Sequence, residues 1–217
     1  MTSDETGLTL DTVAIVLAGR TLIAMTTHVA PGEVLTVMGP SGSGKSSLLA
    51  YIGGFLDPVF EASGRVAIDG RDIAGLPPEE RHAGILFQDP LLFPHMSVGG
   101  NVAFAVPPTV RSRGERRRIA QGALADMGLE GFGDRDPDTL SGGQKARVAL
   151  ARVMVSQPRL LLLDEPFSKL DMALRQQTRM LVFEKARAAG LPVLLVTHDG
   201  EDAEAAGGEV VRLEEAS

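Results

Sequence analysis

The sequence predicts an α/β fold: a mostly parallel sheet covered by helices on both faces, with a helical segment inserted into the chain. Three observations predict it. Short apolar runs, among them Val34-Leu35-Thr36-Val37-Met38, Leu160-Leu161-Leu162-Leu163 and Val193-Leu194-Leu195-Val196, alternate with stretches of helical spacing. Such runs, apolar at nearly every position, suit strands buried on both faces, and their alternation with helices implies parallel pairing. The first of them leads directly into Gly39-Pro40-Ser41-Gly42-Ser43-Gly44-Lys45-Ser46, a glycine-rich turn of fixed pattern between a strand and a helix. From Asp89 to about Pro137, proline, glycine and charge dominate and strand signals disappear.

Taken in order, residues 9–16 alternate loosely and read as an edge strand, with a turn at Gly19-Arg20. Pro31-Gly32-Glu33 is a second turn and feeds the strand that ends at Gly39. The helix opened by Ser47 is closed by Gly53-Gly54. Arg65-Val66-Ala67-Ile68 reads as a strand ending in a tight turn at Asp69-Gly70, and Ile85-Leu86-Phe87 as a short strand stopping at Gln88. Within the inserted segment, Ile119, Ala120, Ala123, Leu124 and Met127 have the spacing of a helix over 116–127. A helix from Gly143 to about Val155, the strand 160–163, a long helix over 172–189, the strand 193–196 and a last strand over 209–213 complete the pattern. The expectation is one domain, with a core lobe of residues 1–88 and 138–217 and a helical lobe of residues 89–137.

At 217 residues the chain can bury a sizeable core, and 44% hydrophobic with 23% charged residues is ordinary globular composition. A net charge of −7 argues against non-specific nucleic-acid binding. With no cysteine, disulfides and thiolate metal sites are excluded. The polar, acidic start Met1-Thr2-Ser3-Asp4-Glu5 is unlike a signal peptide, and no apolar run approaches the ~18 residues that span a bilayer. The cluster Arg111, Arg113, Arg116, Arg117 and Arg118 reads as the solvated face of a helix start.

The turn at 39–46 fits the P-loop pattern. Its glycines let successive N–H groups point inward at a phosphate chain, and the following helix presents its N-terminus to the same anion. Lys45 would reach the β- and γ-phosphates and the Ser46 hydroxyl would coordinate Mg²⁺. The leucine run ends in Asp164-Glu165, where α/β sheets put their ligands. Asp164 is placed to hold Mg²⁺, directly or through water, and Glu165 to accept a proton from an attacking water. Leu140-Ser141-Gly142-Gly143-Gln144 opens a further helix, where a serine hydroxyl and glycine N–H groups make a second phosphate-binding surface. One P-loop has no obvious use for a second such surface in the same monomer. The economical solution is a dimer in which each covers the other subunit's nucleotide.

With these motifs in this order, joined by Gln88, Ser168-Lys169-Leu170-Asp171 and His198, the sequence resembles the ATP-binding cassette (ABC) ATPases over nearly its whole length. The resemblance implies a P-loop NTPase fold with a RecA-like parallel core, an N-terminal antiparallel β part and the inserted helical lobe. It implies ATP and Mg²⁺ as cofactors, and extends nucleotide contact through Pro40, Ser41, Ser43 and Ser47. Gln88 looks like the glutamine that contacts Mg²⁺ or water and hinges the helical lobe. His198 looks like the histidine that contacts the γ-phosphate and orients Glu165 and water. Asp171 resembles the aspartate that crosses the dimer interface, although Lys169 stands where alanine is commoner. The family's adenine-stacking aromatic is replaced here by the aliphatic Val16-Leu17, so the base would rest on Leu17 or Val16.

The stretch Leu91-Leu92-Phe93-Pro94-His95-Met96 is similar to the importer branch, where this segment receives a helix of a membrane subunit. Its apolar residues either pack the helical lobe or form that docking surface. The chain ends 19 residues past His198, so the expectation is a short importer ATPase without a further regulatory domain. What the resemblance implies is a homodimer, or a pair with a second such subunit, working with polytopic membrane permeases and a solute-binding protein. It would sit in the cytoplasm on the inner face of the membrane, with no nucleic-acid partner. The alternatives are a non-transport mechanical ATPase of the same family, acting on nucleic acid or the ribosome, and the ATPase subunit of an exporter.

Overall fold

A computed structural model describes residues 6–213; the acidic N-terminal residues 1–5 and residues 214–217 lie outside the described part. The described residues form two compact units, one within residues 6–85, 159–165 and 183–213, the other of residues 86–158 and 166–182.

Two sheets build the first unit. In the four-stranded sheet, β1 (Leu8–Leu17), β2 (Arg20–Val29), β4 (Phe60–Ile68) and β5 (Arg71–Asp72) lie in the order β2-β1-β4-β5 with antiparallel pairing. β1 is therefore an interior strand and not the edge strand its loose alternation suggested. The reason is β2, whose pairing covers the side expected to be free. The hairpin turn is Ala18-Gly19, one residue earlier than expected. Both residues have positive φ, 50° and 79°, the twist that a two-residue hairpin loop requires. A bulge at Thr12, also at φ 50°, faces Gly64, where an added Cβ would come within 2.5 Å of the Thr12 carbonyl oxygen.

The second sheet has the order β6-β7-β8-β3-β9, from β3 (Val34–Met38), β6 (Ala83–Leu86), β7 (Leu160–Asp164), β8 (Val193–Thr197) and β9 (Glu209–Arg212). β3 pairs in parallel with β8 and β9, and β7 in parallel with β8. Every residue of β3 and β8 is buried, as their continuous apolar runs require. Helix α1 (Lys45–Gly53) buries Leu48, Leu49 and Ile52 in a core that also takes Leu10 and Ile15 from the first sheet and Leu162 and Leu194 from the second. Arg81, 6% exposed, donates to Tyr51 O and Ile52 O at the end of α1 and to Ala74 O and Leu76 O. One guanidinium thus satisfies carbonyls that the end of α1 and the loop after β5 leave open.

The second unit holds α2 (Val98–Phe104), α3 (Arg113–Asp126), α4 (Gly142–Val155) and most of α5 (Met172–Ala188). Residues 89–137 fall wholly within it, together with α4. Ser97, Ser112 and Ser141 cap the first three helices through their hydroxyl oxygens. Arg116 departs from the expected solvated arginine face: it donates to Ala103 O, Phe104 O, Pro107 O and Val110 O, closing the end of α2. Asn101, fully buried, accepts from Phe93 N and donates to Phe93 O, Met96 O and Ser97 O. It fixes the segment before α2 from within.

Candidate active site

The loop at 39–46 leaves the C-terminal end of β3 and enters α1. Gly42 and Gly44 take φ of 81° and 89°, which only glycine adopts freely. Gly44 is doubly constrained, because an added Cβ would lie 2.9 Å from Cβ of Leu22 on β2. Ser43 Oγ donates to Pro40 O at 2.9 Å and closes the turn. Lys45 is 6% exposed, and its Nζ donates to Gly39 O at 2.8 Å and Pro40 O at 2.7 Å. The ammonium is thereby held across the mouth of the loop, beside the N-terminus of α1.

β7 delivers the acids. Ser46 Oγ donates to Asp164 Oδ1 at 3.1 Å. Burial pushes the Asp164 carboxyl up from its ordinary value; the Ser46 hydroxyl and Lys45 oppose the rise and Glu165 adds to it. Glu165 has a left-handed backbone, φ 45°, held by donation of its N–H to Val196 O. Its Oε1 lies 3.1 Å from Nδ1 of His198, just past the end of β8. The residues flanking His198 are tied to one hydroxyl: Thr197 Oγ1 donates to the buried Asp202 at 2.9 Å and accepts from Asp199 N at 3.0 Å. Sequence reasoning passed over this tie, which depends on burial of Asp202 rather than on any motif.

A cleft of about 350 Å³ runs along the loop, lined by Leu17, Leu22, Ser41, Gly42, Gly44, Lys45, Ser46, Ser47, Phe60 and Glu165. Loop N–H groups and a helix N-terminus at one end suit a phosphate chain. Leu22 and Phe60 were not among the expected site residues. Ser46 Oγ and Asp164 Oδ1 are the hard oxygen donors that Mg²⁺ takes beside phosphate and water oxygens. Among the described residues no group of three or more His, Cys, Asp or Glu is placed to hold a metal alone. The donor set fits a cation that arrives with a nucleotide.

The remaining expected residues lie in the second unit. Gln88 follows β6 and is exposed. Ser141 and Gln144 form a reciprocal cap at the start of α4, Ser141 Oγ accepting from Gln144 N and Gln144 Oε1 from Ser141 N. Gly142 is exposed, whereas Gly143 is buried against Leu174 of α5, 3.1 Å from where a Cβ would stand. Asp171 caps α5 by accepting from Leu174 N at 3.0 Å.

Comparison with known proteins identifies the family. Residues 22–168 match the family described as ABC transporter. The chain is 49% identical to an uncharacterized ABC transporter ATP-binding protein, YnjD, of Escherichia coli, over 79% of this chain and 78% of that one. It is 47% identical to the thiamine import ATP-binding protein ThiQ of Cereibacter sphaeroides, over 90% of this chain and 83% of that one. The ATP-binding cassette MJ0796, solved as a dimer in a post-hydrolysis state bound to ADP and Pi, superimposes with a TM-score of 0.79 at 31% identity, covering 95% of each chain. A parallel sheet beside an antiparallel one, entered through a P-loop, is the fold of these cassettes. The chain belongs to the ABC transporter family, of which it is an ATP-binding subunit and an ATPase.

Proposed function

We propose that the protein energises solute import, two copies closing on two ATP molecules and drawing membrane subunits with them. The observation that carries the chemical part is the meeting of Glu165 and His198 at 3.1 Å, beside a cleft lined by Lys45 and Ser46. In this reading the P-loop amides and Lys45 grip the β- and γ-phosphates. Glu165 takes the proton of a water whose oxygen bonds to the γ-phosphorus as the bond to the ADP oxygen breaks. His198 orients Glu165 and the γ-phosphate, and Gln88 orients water. Ser46 and Asp164, with Gln88 as the further expected ligand, would hold Mg²⁺, which would supply positive charge against the phosphoryl oxygens. Ser141, Gly142, Gly143 and Gln144 of one copy, with Asp171, meet the nucleotide of the other. The dimeric neighbour supports this pairing.

Import is favoured by the likeness to a thiamine import subunit and by the surface of the second unit. Leu91 and Phe104 are 57% and 61% exposed. The intervening segment is braced by Asn101 and by Arg152, which donates to Pro90 O and Leu91 O. A braced apolar surface suits a helix of a polytopic permease. No helix among the described residues is long and apolar enough to cross a membrane, and the protein would work at the inner face on that partner, with a solute-binding protein beyond it.

Glu165→Gln tests the chemistry. It should abolish phosphate release while ATP still drives dimerisation, read by light scattering. Turnover at the wild-type rate would remove Glu165 from the role. Co-isolation of a polytopic membrane protein supports transport; ribosomes or nucleic acid in its place would favour a mechanical ATPase.

A further inference from the structure

We propose that Thr197 and Asp202 are positioning residues for His198: one hydroxyl, bonded to a buried carboxylate, sets the direction in which the imidazole leaves the sheet. The inference rests on the role proposed for His198 at the γ-phosphate and goes one step behind it. The His198 side chain is 64% exposed, so packing does little to aim it. What aims it is the backbone on either side. Thr197, at the end of β8, is 1% exposed and pairs in register with Met38, the residue before the phosphate loop. Asp199, on the other side, caps α6 (Gly200–Ala206) by accepting from Glu201 N at 2.8 Å.

The Thr197 hydroxyl joins the two sides. It accepts from Asp199 N at 3.0 Å, closing a tight loop around His198, and donates to Asp202 Oδ2 at 2.9 Å. A hydroxyl has one proton to give, so donation to the carboxylate leaves its lone pairs for the Asp199 N–H. Asp202 is itself 3% exposed, and a hydroxyl or carboxylate out of water costs free energy unless it is bonded. Valine has the shape of threonine and suits a strand, so packing alone does not call for threonine here. The hydroxyl serves the link. Without it the backbone at His198 and Asp199 is freer to turn, and the 3.1 Å approach of Nδ1 to Glu165 Oε1 is no longer imposed.

The test is steady-state ATP hydrolysis by wild type, Thr197→Val, Thr197→Ser and His198→Ala, with equilibrium ATP binding measured alongside. Thr197→Val should lower kcat by about tenfold or more, as misplacement of a reacting group does, while ATP affinity stays within about twofold. Thr197→Ser, which keeps the hydroxyl, should recover most of the loss. In proton NMR spectra the imidazole signal that disappears in His198→Ala should shift in Thr197→Val and keep its place in Thr197→Ser. A threonine that only stabilised the fold would lower the urea midpoint and move neither that signal nor kcat in the folded protein. Wild-type kcat in Thr197→Val overturns the proposal, as does a serine variant as slow as the valine one, or an imidazole signal that does not move. Thr197→Ala, with no bulk to clash, should repeat the valine result and replaces it if the valine variant misfolds. Wild-type turnover by His198→Ala would instead sink the reading of His198 on which the inference rests.

Discussion

Lys169 Nζ donates to Asp89 Oδ1 at 2.6 Å, tying the residue after Gln88 to the segment that leads into Asp171. The pair gives a physical account of a lysine where the family more often has alanine. Both side chains are more than half exposed, 51% and 61%, so the pair is worth no more than about 1 kcal/mol. Lys169→Ala should lower unfolding free energy by less than about 1 kcal/mol in urea titrations, and the difference should vanish in high salt.

Arg81 is the opposite case. Its guanidinium is buried and its removal orphans carbonyls of Tyr51, Ile52, Ala74 and Leu76. Arg81→Met should destabilise the protein by about 3 kcal/mol, read from the urea midpoint. Arg81→Lys should recover only part of that, because a point charge cannot span the same fork of acceptors.

Asp164 makes stability depend on pH. Burial raises its folded pKa above the ordinary 3.8, so the folded state binds this proton more readily than the unfolded chain does. Its contribution is therefore full below about 3.8 and is lost as pH rises through the folded value. Asp164→Asn should resist urea better than wild type at neutral pH, converge with it in acid, and lose ATPase activity. Identical pH dependence of the two proteins would contradict this.

At Gly143 two effects oppose each other. Alanine gains about 1 kcal/mol of helix propensity, but its Cβ would stand 3.1 Å from Leu174 Cδ2, and overpacking costs roughly 1–3 kcal/mol. Gly143→Ala should therefore destabilise by about 1 kcal/mol in wild type and become stabilising in a Leu174→Ala background. A double-mutant unfolding cycle measures the change of sign.

What could be read in advance follows from how far each signal reaches along the chain. The loop at 39–46 is stamped on adjacent residues, because Gly42 and Gly44 must take positive φ and the lysine and serine must follow them. The buried strands β3, β7 and β8 announce themselves by continuous apolar runs. β2 does not: its half-exposed pattern and the register shifts opposite it blur the alternation, and with β2 unseen β1 passes for an edge. Phe60 is an isolated aromatic until the register sets it against Leu17. Arg116 sits among arginines that do face solvent, and only the fold of α2 back onto it separates it from them. Ser141 and Asp171 were found as candidate ligand groups. Their helix-capping bonds appear only once the helix starts are placed.

The left-handed backbone at Glu165 carries one more consequence. A side chain with a β-carbon sits there at a penalty of about 1 kcal/mol or more, which glycine would escape. A laboratory selection for heat resistance that ignored turnover would be drawn to Glu165→Gly and, with the role proposed for Glu165, would harvest a sturdier but inert protein. On that proposal robustness and work compete at a single residue.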